Sequence, residues 1–154
     1  MSFLVSDILD YSKIEAGKLT LYYDKLDPHR MITETTNMLM FSTRQKGIDL
    51  LLRIDPNVPK TFITDETRFK QILINLISNA IKFTFVGSIE VNAELYSSKL
   101  DGEGVHKFLK VTVKDTGIGM SKEDSKALFN LFGKLNDNNK INKSGTGLGL
   151  FISK

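Results

Sequence analysis

The chain has 154 residues, 41% hydrophobic and 25% charged, enough for one domain with its own core. It carries no apolar run near the ~20 residues that a spanning helix needs and no opening signal-peptide pattern. Its net charge of +3 comes from Lys and Arg spread along the whole chain, which argues against a nucleic-acid footprint.

Between Phe3 and Ala16, apolar residues Leu4, Val5, Ile8, Leu9 and Tyr11 recur at helical spacing, and Gly17 stops the run. That stripe is strong for so short a helix and is expected to pack on a partner helix outside this sequence. Leu19 to Leu26 alternates weakly and reads as a strand. Asp27 and Pro28 form a helix start, with a side-chain acceptor followed by a residue that needs no backbone donor. The helix should run to about Lys46 and end at Gly47. Ile48 to Ile54 is a β-like run closed by turn residues Asp55 to Pro59, and a short strand follows at Thr61 to Ile63.

Thr64 or Asp65 then caps a long helix reaching about Phe83. Ser88 to Leu95 alternates cleanly, with Ile89, Val91, Ala93 and Leu95 on one face, and Phe108 to Val113 alternates through Val111. The polar stretch between them, with Gly102 and Gly104, predicts a long-looped antiparallel hairpin. Ser121 with Asp124 resembles a capping box for a helix to about Phe132. Asn136 to Ser144 is almost wholly polar and is expected to be mobile, and a new helix starts at Thr146. The fold class that results is α+β, a two-layer sandwich with one sheet covered on one face by helices.

Three segments carry chemistry. On the helix from Asp65 to Phe83, Phe69, Ile72, Leu73, Leu76, Ile77 and Ala80 form the buried stripe. Arg68, Gln71, Asn75, Asn79 and Lys82 share the opposite face. Alone, this reads as a solvated face. Yet two Asn one turn apart cost helix stability without obvious return, and their amide oxygens can orient a hydrated divalent cation with Lys82 near phosphate. In "VKDTGIGMS", a strand ends at Asp115, and Gly117 and Gly119 allow close backbone approach, either to a ligand or as a tight turn. A Rossmann loop would need a third glycine where Lys122 stands. In "SGTGLGL", alternating glycines precede a helix, which suits either phosphate binding at backbone donors or a hinge. No Gly-Lys-Ser/Thr follows, so this is not a Walker loop. With no Cys there is no disulfide or thiolate, in keeping with a reducing compartment. His29 and His106 stand alone and are expected on the surface, without a metal or catalytic role.

In order, "NLISNAIKFT", "DTGIGM", "LFNLF" and "GTGLGL" resemble the asparagine, first glycine, phenylalanine and second glycine boxes of sensor histidine kinases. "ILDYSKIEAGKL" is similar to the end of the helical hairpin that carries the phosphoacceptor. The wording of the asparagine box resembles the hybrid subgroup.

This resemblance implies a Bergerat-type ATP-binding fold, with residues 1–18 ending the hairpin's second helix and 19–154 forming the catalytic domain. It implies Mg²⁺ coordination by Asn79 with Asn75 beside it, phosphate contact by Lys82, and acceptance of the adenine amine by Asp115 at the floor of a closed pocket. Gly117 and Gly119 would admit the base. Phe129 and Phe132 would anchor a lid that Gly145, Thr146, Gly147, Leu148 and Gly149 close over the triphosphate.

The implied enzyme is an ATP-dependent protein-histidine kinase. Its partners would be the histidine-bearing dimerisation domain of a homodimeric parent and a receiver domain, on the cytosolic face. Related hydrolytic ATPases carry Glu where this chain has Asn75, which disfavours the hydrolytic alternative. The intact boxes disfavour a third alternative, a degenerate module that only binds partners. The phosphoacceptor motif is absent around both histidines, so the chain alone is expected to be inactive. The resemblance also implies that the chain stops at Lys154 before the domain's last helix and strands.

Overall fold

The computed structural model describes residues 2–100, 104–121 and 149–153. They form two compact units, one joining residues up to Leu21 with those from Gly119 onward, the other spanning Tyr22–Ile118.

In the first unit, helix α1 (Ser2–Glu15) packs on a short helix α4 (Gly149–Ile152). Gly17 follows α1 at φ 61°, the left-handed conformation that glycine adopts without a Cβ penalty. Ile8 and Leu9, part of the predicted apolar stripe, are exposed.

The second unit runs β1 (Asp24–Leu26), α2 (Pro28–Lys46), β2 (Asp49–Ile54), β3 (Phe62–Thr64), α3 (Glu66–Phe83), β4 (Ser88–Leu100) and β5 (Gly104–Asp115). β1 and β3 pair antiparallel as a two-stranded sheet. β4 is central in a mixed sheet, parallel to β2 and antiparallel to β5. The strands thus fall in two sheets where one was expected.

Two further boundaries differ. β1 begins at Asp24 rather than Leu19, because a weakly alternating segment becomes a strand only where β3 supplies a ladder. The hairpin is longer than expected, its register running from Ile89↔Asp115 to Leu100↔Gly104. Alternation faded where the ladder leaves the core, and there Tyr96, Ser97, Lys107 and Phe108 are exposed.

The core lies between the helices and one face of β4. Ile32 of α2, Ile77 of α3, and Ile89 and Val91 of β4 are fully buried, with Ala93 and Leu73 beside them. Alternation along β4 puts these residues inward and leaves Glu94 outward. At the start of α2, the Asp27 carboxylate accepts from the His29 and Arg30 amides, and at its end Gly47 takes φ 69°. The buried arc of α3 is turned from the predicted one: Ile72 is exposed, while Ile81 is buried.

Candidate functional site

The site is built on α3. Asp65 caps its N-terminus, with Oδ1 accepting from Arg68 N at 3.0 Å and Oδ2 from Tyr22 N at 2.9 Å. The two amide donors, Tyr22 first, hold this buried carboxyl below its ordinary pKa. Along the outer side of the helix, Asn75, Asn79 and Lys82 are half-buried rather than solvated. The Asn79 side-chain amide donates to Asn75 Oδ1 at 3.4 Å, which turns Asn79 Oδ1 the other way. Arg68 donates to Gln71 Oε1 at 2.8 Å on the same face. Lys82 Nζ lies 5.0 Å from the centroid of the Phe83 ring.

The C-terminal end of α3 leaves four carbonyls to be satisfied. Thr84 N donates to Ala80 O at 3.0 Å. From α2, Lys46 Nζ donates to Ile81 O at 2.6 Å and Lys82 O at 3.4 Å, and lies 5.6 Å from the Phe85 ring centroid. Ile118 N, from the loop after β5, donates to Phe83 O at 3.2 Å. The helix carrying the asparagines is therefore finished by two segments distant in sequence.

That same loop begins at Asp115. Its Oδ1 accepts from Gly117 N at 2.9 Å, a turn in which the side chain fixes its own following backbone. Gly117 sits against α3: a Cβ there would be 2.5 Å from Phe83 O and 2.8 Å from Asp115 Oδ1. Thr116 Oγ1 accepts from Ser88 N at 3.0 Å and donates to Val86 O at 3.4 Å, and Thr116 N donates to Ser88 O at 3.1 Å. Asp115 is exposed, not at the floor of a closed pocket. What holds its carboxylate is hydrogen bonding rather than burial.

The structure thus brings Asn75 and Asn79 into contact and ties Asp115 and Gly117 to the end of the same helix. Gly119 has φ 67° with open space around it, so its backbone rather than crowding calls for glycine. Gly149 opens α4 and is half-buried. Phe129, Phe132, Gly145, Thr146, Gly147 and Leu148 lie outside the described residues.

Both histidines are half-buried rather than on the surface. His29 Nε2 lies 2.8 Å from Val58 O, and the His106 ring lies 6.5 Å from that of Phe108. Lys46, Gly87 and Thr116 belong to this region; of these Thr116 alone falls inside a motif, "DTGIGM", which gave it no role of its own. Lys46 reads as an ordinary basic residue in a helix's last turn, and Gly87 as a plain turn glycine.

The Asn79 amide oxygen, turned away from Asn75, could serve a hydrated divalent cation as one of few protein ligands. Neutral amide oxygens one turn apart suit a cation that keeps most of its water and takes few protein ligands. Among the described residues, no group of three or more His, Cys, Asp or Glu could hold a metal ion. The described residues also contain no helix long and apolar enough to cross a membrane.

The family described as histidine kinase-, DNA gyrase B-, and HSP90-like ATPase matches residues 64–154. Hybrid signal transduction histidine kinase B of Dictyostelium discoideum is 41% identical over 151 residues, covering 98% of this chain but only 8% of the relative's length. The crystal structure of full-length ShkA in complex with AMPPNP superposes with a TM-score of 0.73 at 28% identity, over 97% of this chain and 28% of that one. The histidine kinase ThkA, solved in complex with the response regulator TrrA, gives a TM-score of 0.67 at 26% identity, over 97% and 37%.

Proposed function

We propose a kinase-type reading within the family to which this chain belongs, the histidine kinase-, DNA gyrase B- and HSP90-like ATPases. The chain binds Mg-ATP, and the γ-phosphoryl group passes to a histidine on a helical hairpin domain in two-component signalling. The observation that carries this reading is the amide pair on α3. Asn75 offers no carboxylate to deprotonate water, and its Oδ1 instead receives the Asn79 amide at 3.4 Å. An attacking water gains no general base there, so the phosphoryl group is kept for a better nucleophile.

In this reading Asn79 would hold Mg²⁺ through its amide oxygen, and Asn75 would orient the Asn79 side chain. Mg²⁺, when bound, neutralises charge on the phosphates. Lys82 contacts a phosphate oxygen. Asp115 accepts from the exocyclic amine of adenine, with Gly117 and Gly119 beside the base. Residues 1–18 end the hairpin's second helix, and the remainder is the catalytic domain. Rate comes from positioning and electrostatics rather than covalent chemistry by the protein.

The partners are the histidine-bearing hairpin of a homodimeric parent and a receiver domain, on the cytosolic side. Support comes from the hybrid kinase among the relatives and from the kinase–regulator complex among the structural neighbours.

Incubation of the full chain with γ-labelled Mg-ATP and a separate histidine-bearing hairpin tests the reading. Acid-labile, base-stable label should appear on the hairpin and not on His29 or His106 of the chain itself. Release of inorganic phosphate without transfer would overturn the kinase reading in favour of hydrolysis.

A further inference from the structure

The loop after α3 and the loop after β5 meet at one side chain. Gly87 has φ 111°, and a Cβ on it would stand 2.1 Å from Thr116 Oγ1. The hydroxyl occupies the space that a side chain at position 87 would need. From there it accepts from Ser88 N at 3.0 Å and donates to Val86 O at 3.4 Å, spanning the turn on both sides of Gly87. The turn is itself anchored, since Asp49 N at the start of β2 donates to Gly87 O at 3.1 Å.

Thr116 lies between the two residues of the Asp115 turn. Before it is the carboxylate and after it is Gly117, whose amide that carboxylate accepts at 2.9 Å. One residue further on, Ile118 N reaches Phe83 O at 3.2 Å. Asp115 and Thr116 are both exposed, so burial does not hold this strand end in place. Its orientation depends on the hydrogen bonds: beside the backbone bond from Thr116 N to Ser88 O at 3.1 Å, the Thr116 hydroxyl adds two more to the neighbouring turn.

We propose that Thr116 is a positioning residue: its hydroxyl, seated over Gly87, ties the strand end that carries the Asp115 carboxylate to the turn following the asparagine-bearing helix and thereby sets the selection of adenine over guanine. The proposal rests on the reading that Asp115 receives the adenine amine. Discrimination by an acceptor requires a fixed acceptor. A carboxylate free to swing can step aside for the guanine carbonyl, or meet it through water, and the mismatch then costs little. Thr116 touches neither base nor phosphate in this account and acts only through its neighbour.

The test compares the full chain with Thr116→Val, which keeps shape and loses the hydroxyl, and Thr116→Ser, which keeps the hydroxyl. The first readout needs no nucleotide: hydrogen exchange at the Gly117 amide. Exchange should be faster in Thr116→Val and return to the wild-type rate in Thr116→Ser, with matching circular dichroism. The second readout is calorimetric affinity for Mg-ATP and Mg-GTP. The ATP-over-GTP ratio should fall by about threefold to tenfold in Thr116→Val, the scale of one hydrogen bond, and recover in Thr116→Ser.

Unchanged Gly117 exchange in Thr116→Val would overturn the proposal, as would an unchanged nucleotide ratio. A wild-type chain that shows no preference for ATP would instead overturn the reading of Asp115 on which the proposal rests. Should Thr116→Val lose its fold, Thr116→Ala serves for both readouts, since it removes the hydroxyl from an exposed position without adding bulk.

Discussion

A methyl group on Gly117 would stand 2.5 Å from the Phe83 carbonyl oxygen, and the nearest obstacles are helix backbone and the Asp115 carboxylate. Backbone at a helix end cannot give way as a flexible side chain can. Gly117→Ala should therefore destabilise the fold by about 1–3 kcal/mol, the usual cost of overpacking, as a lowered urea midpoint at unchanged slope. An unaltered midpoint would show that the loop relaxes freely. The residue pattern Gly-x-Gly was legible as a place of close backbone approach. What approaches Gly117, however, is the protein's own helix, a tertiary contact that no local pattern encodes. Asp115 was equally legible as a strand end, while its exposure and its turn with Gly117 were not.

Among the elements, α3 shows how a helix is fixed at both ends by distant chain. Asp65 caps it and also holds Tyr22 N, from a segment 43 residues earlier. A carboxyl whose folded-state pKa is lowered binds fewer protons folded than unfolded. Its contribution is complete above the unfolded value of roughly 4 and is lost as pH falls through the lowered folded value. Asp65→Asn should therefore flatten the acid limb of the stability curve below about pH 4. An acid limb identical to wild type in urea titrations would remove Asp65 from this role.

The caps Asp27, Gly47 and Asp65 were readable because each acts within a few residues of its helix. Lys46 was not, because its acceptors, Ile81 O and Lys82 O, lie 35 and 36 residues away. The short β1 and the long β4–β5 ladder were misjudged for a related reason. Strand length follows the partner as much as the strand's own alternation.

At the scale of the molecule, the α+β class and the order of the described elements followed from periodicity, while the helix expected to reach Phe132 and the segment Asn136 to Ser144 lie outside the described residues; four short motifs in order pointed to one family, whose match to residues 64–154 agrees with them. The division of the strands between two sheets was not readable, since the same alternation serves either pairing. In the proposed function, the Asp115 carboxylate beside the asparagine helix reads adenine. Calorimetric titration of the full chain with Mg-ATP and Mg-GTP, repeated on Asp115→Ala, tests it most directly. Guanine would set a carbonyl oxygen against the carboxylate, and a charge-assisted hydrogen bond would be lost. ATP should bind at least about tenfold tighter than GTP, and Asp115→Ala should lose most of its ATP affinity while keeping its circular dichroism. Equal affinities in the wild type, or normal ATP binding by Asp115→Ala, would contradict the claim.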